Sequence, residues 1–282
     1  MSLIADYLTL CRVPVALFTA SATATGFLIA APHARGLAQT AAAVFLLACG
    51  ASALNQWQER DIDSRMERTR NRPLPAGRMT RRRALAVSVL AVLAGLALLL
   101  TQGVTPAFFG AIAVLWYNFL YTPLKRRTAF AAVYGAPSGM IAPIIGWNAA
   151  GGSLGDPRIL PLAMLFALWQ VPHFWLLLLR ESDAYGAAGL PSLTALLPRD
   201  RIARLIAVWT LAAASASLAL PLFGLVRSLY FAAVLVIVAV SATGIVAGFA
   251  MRQESPAGAF RVINTFLATV MIILVADALT VR

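Results

Sequence analysis

Asn55, Glu59 and Asp63 fall at i, i+4 and i+8 in the run Asn55-Gln-Trp-Gln-Glu59-Arg-Asp61-Ile-Asp63. On a continuing helix this spacing stacks the three oxygen-bearing side chains on nearly one face and turns Asp61 to the other. Stacked carboxylates repel one another unless a cation lies between them, and hard oxygen ligands suit Mg2+. The chain then reads Ser-Arg65-Met-Glu67-Arg68-Thr-Arg70-Asn-Arg72-Pro73, with more arginines than the acids can neutralise. Their forked donors match the oxygens of a diphosphate. A metal and a diphosphate at a membrane surface are what an enzyme acting on isoprenyl diphosphates needs.

Three further clusters can contribute. Tyr121-Thr-Pro-Leu-Lys125-Arg126-Arg127-Thr128 closes a later apolar run. Lys125 and Arg126 there serve either as positive-inside anchors or as part of a diphosphate clamp. Arg180-Glu181-Ser-Asp183 opens a second polar loop. An acidic pair at a helix end is commonly just solvated, but facing the first acidic cluster Glu181 and Asp183 could hold a second cation. Trp169-Gln-Val-Pro172-His173-Phe-Trp175 sits inside an apolar run. A histidine within a membrane span is costly and is a functional candidate. Pro172 removes a backbone donor beside it, and Trp169 lies one turn earlier on the same side.

The elements that must position these residues are membrane helices. Of 282 residues, 60% are hydrophobic and only 12% charged, with a mean hydropathy of +0.80. A soluble protein of this size carries about twice that charged fraction. Apolar runs long enough to span a bilayer cover 14–32, 38–56, 84–102, 105–121, 129–149, 159–180, 204–223, 228–250 and 262–280. The expected fold is therefore an all-α membrane protein, nine transmembrane helices in a single domain over residues 1–282. The first run does not read as a cleavable signal, because no basic segment precedes it.

The net charge of +12 could suggest nucleic acid, but its placement points elsewhere. With the N-terminus inside, 19 of the 23 Lys and Arg residues lie on inner segments, and only Arg35, Arg158, Arg227 and Arg282 lie outside. That asymmetry predicts a cytoplasmic N-terminus and an outer C-terminus, and calls for no nucleic-acid partner. The two long inner loops, about 57–83 and 181–203, each begin with acids after a helix and are separated by four helices. This suggests two pseudo-equivalent halves of four helices with a ninth appended. Cys11 and Cys49 form no metal motif and read as small apolar filler without a disulfide; His33 reads as surface.

The motif Asn-x-x-x-(Asp/Glu)-x-x-x-Asp followed by Arg-Thr-x-x-Arg-Pro-Leu-Pro-x-Gly resembles the first signature of the UbiA-type intramembrane prenyltransferases. It is carried here by Asn55, Glu59, Asp63, Arg68, Thr69, Arg72, Pro73, Leu74, Pro75 and Gly77. Within that superfamily the wording is most similar to the heme O synthase (protoheme IX farnesyltransferase) branch. Besides the first signature, Tyr121-Thr-x-x-Lys-Arg-Arg-Thr128, Pro143-x-x-Gly-Trp147 and Pro172-His-Phe-Trp175 carry the likeness. The second loop departs from it, reading Ser182-Asp183-Ala184-Tyr185 where the family has Asp-Asp-Tyr, and Ala142-Pro143 stands for a Pro-Pro.

The resemblance implies a helical bundle around a central cavity in the bacterial inner membrane. It implies Mg2+ as cofactor, held by Asn55, Glu59 and Asp63 with Asp183 and Glu181, and diphosphate held by Arg68, Arg72, Lys125 and Arg126. It further implies farnesyl diphosphate as donor and heme b as acceptor, with His173 and Trp169 on the heme. A quinone precursor is the alternative acceptor. A non-catalytic transporter or assembly factor is the alternative class, although its acids should lie near the bilayer midplane and not at one face.

Overall fold

In the computed structural model, which describes residues 3–182, 186, 188–252 and 255–281, the described residues form helices and connecting loops without a strand. A short helix α1 (Leu3–Cys11) precedes α2 (Val13–Ala30), α3 (Leu37–Asp63), α4 (Arg81–Leu100) and α5 (Val104–Leu115). Helix α5 runs on through a π-helical stretch, Trp116–Tyr121, into α6 (Thr122–Leu124). Then come α7 (Ala131–Gly135), α8 (Pro137–Ala149), α9 (Ile159–Arg180), α10 (Leu193–Leu196), α11 (Arg199–Leu222), α12 (Leu229–Arg252) and α13 (Pro256–Thr280). The long helices are continuous apolar runs, so each satisfies its own backbone within the bilayer, and the protein is an integral membrane protein.

Among the described residues, eight helices are long and apolar enough to cross a membrane. The span expected at 129–149 differs: it is broken at Ala136 into α7 and α8. The physical reason is Pro137, which has no N–H to continue the ladder and begins a new helix at the position proline tolerates best. Apolar periodicity does not register a break of one residue.

Two helix pairs carry the long polar loops. Helix α3 packs along α4, and α9 along α11. Thr80 closes the first loop by accepting from the Arg83 backbone N–H at 3.3 Å, a cap that starts α4. Within that loop Gly77 takes a positive φ of 71° that favours glycine, and Arg78 then reaches Asp6 of α1 at 2.9 Å. Ile62 in the last turn of α3 and Met66 of the first loop pack on Ala188 and Leu190 of the second, so both loops close over the same end of the bundle.

Helices α2 and α8 cross with backbone almost touching backbone. A Cβ on Gly146 would collide with the Thr23 carbonyl, and one on Gly26 with the Pro143 carbonyl. Small residues allow this approach where no hydrophobic drive separates helix from lipid. Gly146→Leu should therefore destabilise the protein by about 3 kcal/mol or more. A lowered thermal midpoint in detergent would register this, and an unchanged midpoint would refute the close-crossing argument.

Candidate active site at one end of the bundle

Helix α3 carries Asn55, Glu59 and Asp63 on one buried face, at 4%, 2% and 4% exposure, while Asp61 points to solvent. The i, i+4 spacing thus places three oxygen donors together in a protein interior. Each acid is balanced by a cation from another element. Lys125 Nζ lies 3.0 Å from Glu59 Oε2, and Arg72 Nη1 lies 2.7 Å from Asp63 Oδ2. Burying either carboxylate alone would cost several kcal/mol, and these pairings offset that cost. Thr69 donates its hydroxyl to the Asp63 carbonyl at 2.9 Å and closes the C-terminus of α3.

Among the described residues six buried side-chain atoms lack a hydrogen-bond partner, and one of them belongs to the acids of this face. Glu59 Oε1 is buried and has no hydrogen-bond partner among the described residues. A buried acceptor without a donor is costly unless a ligand is meant to meet it. With Asp63 and Asn55 on the same face, the donor set fits a hard divalent cation such as Mg2+. Among the described residues no three His, Cys, Asp or Glu side chains form a metal cluster, so such a site needs the amide of Asn55 or a residue beyond them.

Asn55 is oriented by a residue whose role its sequence context did not reveal. The Thr122 hydroxyl donates to the Tyr117 carbonyl at 2.9 Å, which spends its single proton. It must then accept from the Asn55 amide nitrogen at 3.0 Å, leaving the Asn55 oxygen as the atom for a cation. The π-helical turn makes this possible, because it widens the helix between Tyr117 and Thr122. Asn118, in the same turn, is fully buried and donates to the Ala51 carbonyl at 2.9 Å. Thr122→Val keeps the shape but removes both bonds. It is expected to raise the Mg2+ concentration needed for half-maximal rate by about tenfold to a hundredfold, as outer-shell losses do. A Mg2+ titration of the initial rate checks this.

The structure brings together only some of the diphosphate candidates. Arg72 and Lys125 meet the acids, whereas Arg126 donates to the Gln58 carbonyl at 2.6 Å. Arg68 lies 3.4 Å from Glu181, joining the two loops. The contact given to Glu181 is therefore a guanidinium and not the carboxylate face of α3. Asp183 lies outside the described residues.

Behind this polar end runs a ladder of aromatic rings. Tyr117 stacks on Tyr121 (5.7 Å between centroids), Tyr121 on Phe174 (5.6 Å), and Phe174 meets His173 edge-on (5.7 Å). His173 also lies 4.7 Å from Trp169 and 5.0 Å from Phe260, and Trp169 stacks on Phe18 at 5.5 Å. Helix α9 passes unbroken through Pro172, and Trp169 is fixed by its Nε1 bond to the Ile263 carbonyl at 2.8 Å.

Asn264 of α13 is a second residue that sequence reasoning missed. Its amide nitrogen donates to the Phe260 carbonyl at 2.7 Å, so its oxygen faces His173 Nδ1 at 2.8 Å. That arrangement makes Nδ1 the protonated nitrogen and leaves the Nε2 lone pair available. A lone asparagine in an apolar span was the available signal. Cys11 and Cys49 are free thiols.

The UbiA prenyltransferase family profile matches residues 16–273. A protoheme IX farnesyltransferase of Nitratidesulfovibrio vulgaris is 38% identical over 280 residues, covering 99% of this chain and 96% of the relative. Another, from Geobacter sulfurreducens, is 48% identical over 184 residues, covering 65% of this chain and 68% of the relative. Among solved structures, a UbiA homologue from Archaeoglobus fulgidus bound to GPP and Mg2+ has the same fold. Its TM-score is 0.76 at 14% identity, covering 98% of this chain and 99% of that one.

Proposed function

The chain belongs to the UbiA prenyltransferase family, and from that membership we propose that it transfers a farnesyl group from farnesyl diphosphate to a vinyl group of heme b, giving heme O and diphosphate. The observation that carries this reading is the juxtaposition of a charge-balanced cluster with an aromatic ladder that contains His173. The full-length relatives named protoheme IX farnesyltransferase support the choice of acceptor.

Asn55, Glu59 and Asp63 would hold Mg2+, which when bound neutralises charge on the leaving diphosphate. Lys125 and Arg72, each paired with one of these acids, would also meet the oxygens of the diphosphate. Arg68, paired with Glu181, and Arg126 would complete the clamp, and Asp183 would be the second-loop metal ligand. Cleavage of the allylic C–O bond leaves a cation that the faces of Tyr117, Tyr121 and Phe174 stabilise while the bundle excludes bulk water. The terminal vinyl carbon of heme bonds to farnesyl C1, water adds its hydroxyl to the inner vinyl carbon, and the spare proton leaves to solvent. Trp169 and His173 would hold the macrocycle, with His173 offering its Nε2 lone pair to the iron.

The excess of arginine on the inner loops supports a reading in which both acidic loops face the cytoplasm, the C-terminus lies outside and the protein resides in the bacterial inner membrane. Detergent-purified protein incubated with heme b, farnesyl diphosphate and Mg2+ should yield a product with the mass of heme O. Farnesyl transfer to a quinone precursor supplied in a parallel incubation, with none to heme b, would sink the heme reading and keep the prenyl transfer.

A further inference from the structure

Among the described residues, Arg12 is the one non-glycine residue with a positive φ, at 48° with ψ 52°. This left-handed conformation is disfavoured for an L-residue and is free for glycine, so a retained arginine there asks for a reason. Such outliers persist where surrounding structure holds them, and they cluster at ligand sites. Arg12 joins α1 to α2 and is half-buried. Its Nη1 reaches the Tyr117 hydroxyl at 3.5 Å, the first rung of the aromatic ladder.

The ion pairs leave Arg12 apart. Glu59 and Asp63 pair with Lys125 and Arg72, and Asp6, six residues earlier on α1, pairs with Arg78. No carboxylate among the described residues pairs with Arg12. A guanidinium that is half-buried without a counter-anion is a strong site for one, since charge-assisted bonds gain as water is removed. The anion belongs to the aromatic side of the site, because the polar partner of Arg12 is Tyr117 and not a member of the acidic cluster.

We propose that Arg12 is an acceptor-recognition residue that binds a carboxylate of the prenyl acceptor at the rim of the aromatic ladder, while His173 addresses the centre of the ring system. The inference rests on the heme reading given above: heme b is a flat aromatic macrocycle bearing two propionate carboxylates, whereas its vinyl groups are apolar. A carboxylate fixed by Arg12 sets which edge of the macrocycle faces the allylic carbon, so the residue governs both affinity and the choice of vinyl group. Diphosphate offers the same anionic oxygens, and the test separates the two.

Heme b and its dimethyl ester, which lacks the anions and keeps the ring, are titrated into the full-length protein in detergent and followed by the Soret band. Inorganic diphosphate with Mg2+ is titrated separately by calorimetry. The variants are Arg12→Gln and Arg12→Gly, the second chosen because glycine accepts the backbone conformation without strain. The wild type should bind heme b about tenfold or more tighter than the ester, in keeping with a charge-assisted pair. In both variants that discrimination should collapse through weaker heme binding, with ester and diphosphate binding unchanged. Equal weakening of heme and ester would reduce Arg12 to a packing role and overturn the proposal. Weakened diphosphate binding with intact heme discrimination would assign Arg12 to the donor substrate and overturn it too. A wild type that binds heme b and the ester equally refutes the carboxylate site but leaves the heme reading standing. A wild type with no Soret response to either defeats both.

Discussion

Asp63→Ala and Glu59→Ala are each expected to lower turnover by about a thousandfold or more at saturating Mg2+, because in the proposed mechanism a metal held by these carboxylates would act on charge that develops in the leaving group. The expectation rests on the shared buried face of α3 and on the orphaned Glu59 Oε1. The fold should survive. The lysine left by Glu59→Ala is 20% exposed and the arginine left by Asp63→Ala is 15% exposed, so both cations keep a route to water. Initial rates by product mass, with thermal midpoints measured alongside, decide the matter. Near wild-type turnover in either variant would remove that residue from the metal site. Glu59→Gln separates charge from shape: it should retain the midpoint and lose the rate.

His173→Ala should weaken heme b binding by tenfold or more, on the order of a lost ligand contact, with farnesyl diphosphate binding within about twofold of wild type. The reason is position. His173 lies among Trp169, Phe174 and Phe260 and is hydrogen-bonded to Asn264, whereas the acids are met by Lys125 and Arg72. Loss or displacement of the Soret band on titration reports the first quantity, and calorimetry with farnesyl diphosphate the second. Asn264→Ala should show a weaker version of the same pattern, since it frees the ring to rotate without removing it. Unchanged heme binding in His173→Ala would leave the ladder without a role for its central residue.

The acid face was legible from residue order alone, because i, i+4, i+8 is a property of a single helix and needs no neighbour to define it. The same holds for the apolar runs, since a bilayer sets their length locally. The partners of the acids were not legible. Lys125 is 66 positions from Glu59, and only the packing of the π-helical end of α5 beside α3 makes them neighbours. Arg126, adjacent in sequence and equally basic, went instead to a backbone carbonyl. Periodicity also could not show the break before Pro137, the turn that lets Thr122 orient Asn55, or the asparagine 91 residues from His173 that selects its tautomer. Local spacing therefore determined which residues share the acid face. Tertiary packing decided which cation meets which acid, because a buried charge takes whatever partner the crossing helices bring within reach.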